Sequence, residues 1–200
     1  MKVGQRTTAW HFSRYQHKQA YNQAVQEANQ SDSGSQEDSH DGLFPSGPGR
    51  FLVIGRWALR KIANVLPPSV VKNRVLRWSG VNVGANVFIG DGVRFIDGFI
   101  KNEIELRDFC VVSPGVTLVS LSYPNTSSLR NSKSLVQRKR VVIGSNSWIG
   151  ASATLLPGTS VGDNSVIGAN SLVKRIVPTG EIWVGNPARF LGRVDASEKE

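Results

Sequence analysis

From Val83 onward the chain reads in sixes: VGANVF, IGDGVR and FIDGFI, then, after a five-residue slip at 101–105, LRDFCV, VSPGVT and LVSLSY. A break at 124–142 separates these from six uninterrupted units, IGSNSW, IGASAT, LLPGTS, VGDNSV, IGANSL and VKRIVP. The first position of all twelve is aliphatic or Phe, and the fifth is nearly always small or β-branched. The fourth is Gly or Asn in eight: Asn86, Gly92, Gly98, Gly115, Asn146, Gly158, Asn164 and Asn170. With 20 Gly and 13 Asn in 200 residues, chance supplies about two, so the period is real.

Six residues make one short extended strand and one corner. The first residue points inward, the small fifth residue fits the corner's inner wall, and Gly or Asn at the fourth suits a backbone with positive φ. Successive coils stack at ~4.8 Å, the ordinary inter-strand spacing. Twelve units at three per turn give about four turns of an all-β solenoid, with a partial coil over 179–187. An amphipathic helix needs a period of 3.6, which this is not.

The stretches around the repeat differ from it. Residues 1–50 are polar, and 31–49 (SDSGSQEDSHDGLFPSGPG) offer almost nothing to bury, so a mostly disordered arm is expected. Residues 51–80 read as a basic amphipathic lead-in. Val53, Ile54, Trp57, Ala58, Ile62 and Val65 recur at helical spacing until Pro67-Pro68, and a second short helix is expected over 69–78. Six cations, Arg56, Arg60, Lys61, Lys72, Arg74 and Arg77, lie there without an acid. Two placements are open for this segment: packing on the open end of the coils, or contact with an anionic membrane surface, with apolar faces inward and the basic face outward. Residues 120–142 form an extended loop, and 189–200 read as a terminator with solvated charges, 195–200 being tail.

Composition narrows the chemistry. The net charge of +9 lies wholly in residues 51–200, with 19 Lys/Arg against 10 Asp/Glu. No nucleic-acid recognition motif accompanies it, so no nucleic-acid partner is expected. The single Cys110 excludes an internal disulfide framework and a cysteine-rich zinc site. His11, His17 and His40 are the three histidines, and none lies in 51–200. The longest apolar stretch is four residues, Phe51–Ile54, and no signal peptide opens the chain, so a cytoplasmic chain, at most peripheral on a membrane, is expected.

The run from Val141 to Val194 carries Asn-x-Trp-Ile-Gly (146–150), Pro-Gly (157–158), Gly-Asp-Asn-Ser-Val-Ile-Gly-Ala (162–169) and Gly-Asn-Pro-Ala-Arg (185–189). In these motifs the chain resembles the hexapeptide-repeat acyltransferases, closest to the maltose/galactoside O-acetyltransferase branch and to members that acetylate bacterial polysaccharides. The likeness covers roughly 81–194. It implies a left-handed parallel β-helix, although parallel crossovers are otherwise right-handed. It also implies a homotrimer that binds acetyl-CoA between neighbouring β-helices as a co-substrate, with no permanently bound cofactor. Carried over residue by residue, backbone at Ala151 and Ala169 would meet the pantetheine arm, Trp148 would line the groove, and Lys174, Arg175 and Arg189 would meet the nucleotide's phosphates. Gly115 and Tyr123 would lie beside a sugar or glycolipid acceptor. The carbonic anhydrase branch of the same fold needs three His ligands to a metal, so no metal is expected.

One position departs from the pattern. The family's general base is a His before Pro in the extended loop, and here Tyr123 stands before Pro124. A neutral imidazole takes a proton from a sugar hydroxyl at pH 7, whereas a phenol near pKa 10 is mostly protonated there. A histidine of the arm, a carboxylate of the group Glu103, Glu105 and Asp108, or proximity alone are the substitutes the sequence offers. Two functions follow: an acetyl-CoA-dependent O-acetyltransferase for saccharide hydroxyls, or a catalytically degenerate CoA binder or scaffold.

Overall fold

The computed structural model describes residues 49–124 and 127–194, together with the helical Gln26. The rest of the expected arm, with its three histidines, and the tail 195–200 lie outside the described residues. Two helices, α1 (Gly49–Val65) and α2 (Val70–Trp78), precede the coils. Pro67 and Pro68 separate them, and Ser69 caps α2 by accepting from Lys72 N.

The repeat folds as a left-handed parallel β-helix with three faces. On the first face Val83, Leu106, Ile143, Val161 and Val177 stack in register. The second stacks Ile89, Val112, Ile149, Ile167 and Trp183, and the third Phe95, Leu118, Leu155 and Val173. Eleven of the twelve first-position side chains are buried, and Phe95 packs partly buried against them. Each fully buried aliphatic adds ~1.5–3 kcal/mol relative to exposure. Truncating a central one such as Leu155 to Ala costs about 2–5 kcal/mol, because the column leaves a cavity.

The corners follow the Gly/Asn pattern with one shift. Seven of the eight fourth-position residues have positive φ, among them Asn164 (54°) and Asn170 (55°). At the third unit Phe99 (55°) takes that conformation instead of Gly98. The six-unit run also closes early: Val177, and not Thr179, stacks on Val161. Only Lys174 and Arg175 lie between the strands Leu172–Val173 and Ile176–Val177, so that corner is two residues short. The slip puts a valine in the column where the unbroken frame would bury a threonine hydroxyl.

The tail reading of 189–200 is corrected over its first residues. Arg189–Arg193 pairs antiparallel with Glu181–Val184 and covers the edge of the second face. Beneath it the fully buried Glu181 accepts from Trp183 Nε1 at 2.8 Å, with Arg193 Nη2 at 3.9 Å.

The lead-in corrects the sequence reading more sharply. Strands of each coil donate N–H groups to the following coil, as Gly84 N does to Leu106 O and Gly90 N to Val112 O, both at 2.8 Å. The carbonyls of the first coil therefore have no preceding coil to pair with. The helices supply side-chain donors instead. Lys72 Nζ reaches Gly90 O (3.0 Å), Asn73 Nδ2 reaches Val87 O (2.7 Å), and Arg77 reaches Val83 O and Gly84 O (2.6 Å each). Arg56 donates to Phe99 O, and Arg60 pairs with the buried Asp97. Arg56, Arg60 and Lys72 are buried, while Phe51, Ile54, Ile62 and Val65 are exposed. The expected layout is inverted: these cations face the coils, and the apolar stripe of α1 faces out.

Candidate active site

Ala151 and Ala169 occupy the same corner in successive coils, where Asn170 N donates to Ala151 O at 2.9 Å. A methyl on Gly150 would lie 2.5 Å from Ala169 N, so only glycine lets these coils approach so closely. Gly115 sits at this corner one coil nearer the helices, where Ser152 N donates to Pro114 O at 3.0 Å. Trp148 stands outward on the second face, 53% exposed, between Val111 and Val166 in register. Its Nε1 donates to Ser113 Oγ at 3.0 Å. Gly115, Trp148, Ala151 and Ala169 thus share one small-residue corner walled by an indole. Ser113, which fixes that indole, was not singled out in the sequence. Its only signal was an exposed-side hydroxyl two places before Gly115.

Lys174 and Arg175 lie at the next corner round, directly after Leu172–Val173, and both are exposed. Among the described residues neither has an anionic partner. Arg189 begins the closing strand, with Nη1 on Ala188 O at 3.0 Å, while Ala188 N donates to Leu172 O at 2.8 Å. The strand carrying Leu172 therefore connects all three cations to the Ala169 corner.

Tyr123 is elsewhere in the chain. It follows Leu121–Ser122, a two-residue strand paired antiparallel with Gln137–Arg138 at the base of the extended loop. Gly115 and Tyr123 stand beyond opposite ends of the strand Thr117–Val119, roughly 10 Å apart or more at the usual rise per residue.

The carboxylates offered as substitute bases are all engaged. Glu103 is buried and accepts from Gly98 N and Ser120 Oγ, both at 3.1 Å, while its other oxygen pairs with Arg138. Glu105 holds Arg107 at 3.0 Å and Arg140, and Asp108 accepts from Ala85 N at 2.7 Å. Glu103 ties Arg138 of the loop base, and Ser120 just before its other strand, to the coil residue Gly98, a function the sequence did not suggest. Cys110 is no nucleophile either, since burial pushes its thiol up to about 12.

Residues 140–175 match the model of the bacterial transferase hexapeptide (six repeats) family. Galactoside O-acetyltransferase of Escherichia coli (strain K12) is 29% identical over 121 residues, 60% of this chain and 58% of that relative. The matched part thus spans less than two thirds of the relative's length. The crystal structure of a maltose O-acetyltransferase from Clostridium difficile 630 superposes with a TM-score of 0.52 at 27% identity, over 72% of this chain and 89% of that one. A galactoside acetyltransferase in complex with coenzyme A shares the fold, with a TM-score of 0.56 at 24% identity over 80% and 86% of the two chains. In its matched residues 140–175 and in its coiled fold, the chain is thus similar to hexapeptide-repeat acetyltransferases.

Proposed function

We propose that this protein is an acetyl-CoA-dependent O-acetyltransferase acting on a saccharide hydroxyl. The observation that carries the reading is the exposed Ala151–Ala169 corner, walled by Trp148 and continuous with Lys174, Arg175 and Arg189. Small side chains leave backbone accessible to a narrow amide-bearing arm. Three cations without a described anionic partner suit a 3′-phosphate and a pyrophosphate. The relatives named above for acetyl transfer to galactosides and maltose support the same donor and acceptor class.

In the reaction the acceptor oxygen attacks the thioester carbonyl, a C–O bond forms, the C–S bond breaks, and the hydroxyl proton ends on the departing thiol. This chain's corner holds the donor, and proximity alone lowers the barrier by ~7 kcal/mol or more. The separation of Gly115 from Tyr123 favours a closed cyclic homotrimer, in which the loop of one chain faces the corner of the next. Such an acetyl-CoA-dependent enzyme would work in the cytoplasm, where its thioester substrate is made.

A second reading, a CoA binder without efficient transfer, draws on Tyr123 in place of the family's base. Thermal-shift titration with acetyl-CoA, followed by mass-spectrometric assay of acetyl transfer to galactosides, maltose and oligosaccharides, separates the readings. Stabilisation with transfer supports the enzyme, stabilisation alone supports the binder, and no stabilisation rejects both.

A further inference from the structure

The outer surface of the lead-in is apolar, and nothing in the coil stack covers it. Along α1, Phe51, Ile54, Ala58, Ile62 and Val65 follow helical spacing on the side opposite Arg56, Arg60 and Ala63, which face the coils. Phe51 and Val65 are 80% and 84% exposed. On α2, Val70, Val71 and Trp78 are exposed in the same way. Trp57 borders the stripe, with Lys61 Nζ 5.7 Å from its ring centre. Large side chains exposed in one contiguous segment mark an interaction surface, because they gain nothing from water.

The charges of this segment select the partner. No Asp or Glu occurs between Phe51 and Gly90. With Arg56, Arg60 and Lys72 committed to the coils, the exposed cations among the described side chains of the helices are Lys61, Arg74 and Arg77, the last already bonded to two carbonyls. Self-pairing through this face would set Lys61 and Arg74 against their own copies with no acid to separate them. An anionic lipid surface meets both features at once: it takes up the apolar stripe and neutralises the flanking cations. Indoles at the border suit the headgroup level, where an apolar ring with one N–H donor is best placed. No described helix is long and apolar enough to cross a membrane, so the helices would lie in the interface.

We propose that α1 and α2 dock the protein on an anionic phospholipid bilayer, with the Phe51–Ile54–Ile62–Val65 stripe inserted and Lys61 and Arg74 at the headgroups. This differs from attraction by a polybasic patch, because half of the segment's cations are spent inside the protein. The Gly115–Ala169 corner runs through the second to fourth coils counted from that end, so at ~4.8 Å per coil a lipid-borne acceptor could reach it. The docking itself does not depend on acetyl transfer.

Co-sedimentation of the full chain with phosphatidylcholine vesicles, with and without phosphatidylglycerol, tests this. We expect binding to the phosphatidylglycerol vesicles, weakened at least about tenfold by Ile54→Glu with Ile62→Glu and reduced by Lys61→Glu with Arg74→Glu. All four side chains are exposed, and unchanged thermal melts verify that the variants fold. A wild-type chain that stays in the supernatant with both vesicle types overturns the proposal. So does binding indifferent to Ile54→Glu with Ile62→Glu, or light scattering in which that pair abolishes self-association while vesicles are ignored. Because the readout is pelleting, a failed acetyl-transfer assay leaves the outcome interpretable.

Discussion

Trp148 and Ser113 are 35 residues apart in sequence, yet the indole Nε1 donates to the serine Oγ at 3.0 Å across adjacent coils. The bond holds a half-exposed ring against the corner that also carries Gly115 and Ala151, so the indole acts as a fixed wall.

If the indole is a wall of the donor site, Trp148→Ala weakens acetyl-CoA binding by about tenfold, or ~1.4 kcal/mol, while barely shifting the melting temperature. Ser113→Ala, which only frees the ring, costs less. Calorimetric titration measures both, and equal affinity in Trp148→Ala moves the donor site elsewhere.

The positive-φ corners make a prediction about stability alone. At Asn164 (φ 54°), alanine should destabilise by ~1–2 kcal/mol and glycine by little, because the cost lies in placing a Cβ in the left-handed region. Urea denaturation of Asn164→Ala and Asn164→Gly gives the comparison. Equal losses in both would point to the asparagine side chain instead.

These corners also show what was legible in the sequence. Period six, the inward first positions and most of the Asn/Gly turns could be read directly, because each coil repeats one local rule. What could not be read is where coil edges end. Arg56, Arg60, Lys72 and Arg77 look like a basic face by spacing, but the orphan carbonyls of Phe99, Gly90, Val83 and Gly84 that attract three of them exist only once the coil has formed. The early closure at Val177 likewise depends on which side chain the column accepts. Of the candidate site, Trp148, Ala151 and Ala169 emerge together, whereas Ser113 and the Glu103–Arg138 clamp depend on contacts between coils.

Lys72 gives a pH signature. It is 1% exposed, and desolvation lowers its pKa below 10.5, with Asp91 opposing in part. A lysine with a lowered folded pKa releases its proton more readily folded than unfolded, so the native state gains stability as pH rises from that lowered value toward 10.5. Compared with Lys72→Met, which lacks the titration, the wild type should therefore gain relative stability between pH 8 and about 10.5. At neutral pH, the variant should lose ~1.5–3 kcal/mol from the unpaired Gly90 carbonyl. Denaturation midpoints at both pH values measure this, and a gap that narrows with rising pH refutes it.

Position 123 tests the chemistry. A phenol can orient an acceptor hydroxyl but is a poor base at pH 7, so wild-type transfer to generic sugars should be weak and Tyr123→His should raise it. General-base participation is worth ~10²–10⁴-fold, which leaves a measurable gain even from imperfect geometry. Tyr123→Phe should leave donor binding unchanged. Rapid wild-type turnover unaffected by either substitution would put the acceptor site away from the loop.

The Ala151–Ala169 corner and its neighbouring cations, as an acetyl-CoA site, should bind the donor in the isolated protein. Calorimetric titration of the full chain with acetyl-CoA, beside Lys174→Ala with Arg175→Ala, measures this. Saturable binding is expected in the wild type, with affinity lower by about tenfold or more in the double variant, because charge-assisted contacts to phosphate are removed. No saturable binding, or binding of equal strength in the double variant, would contradict it.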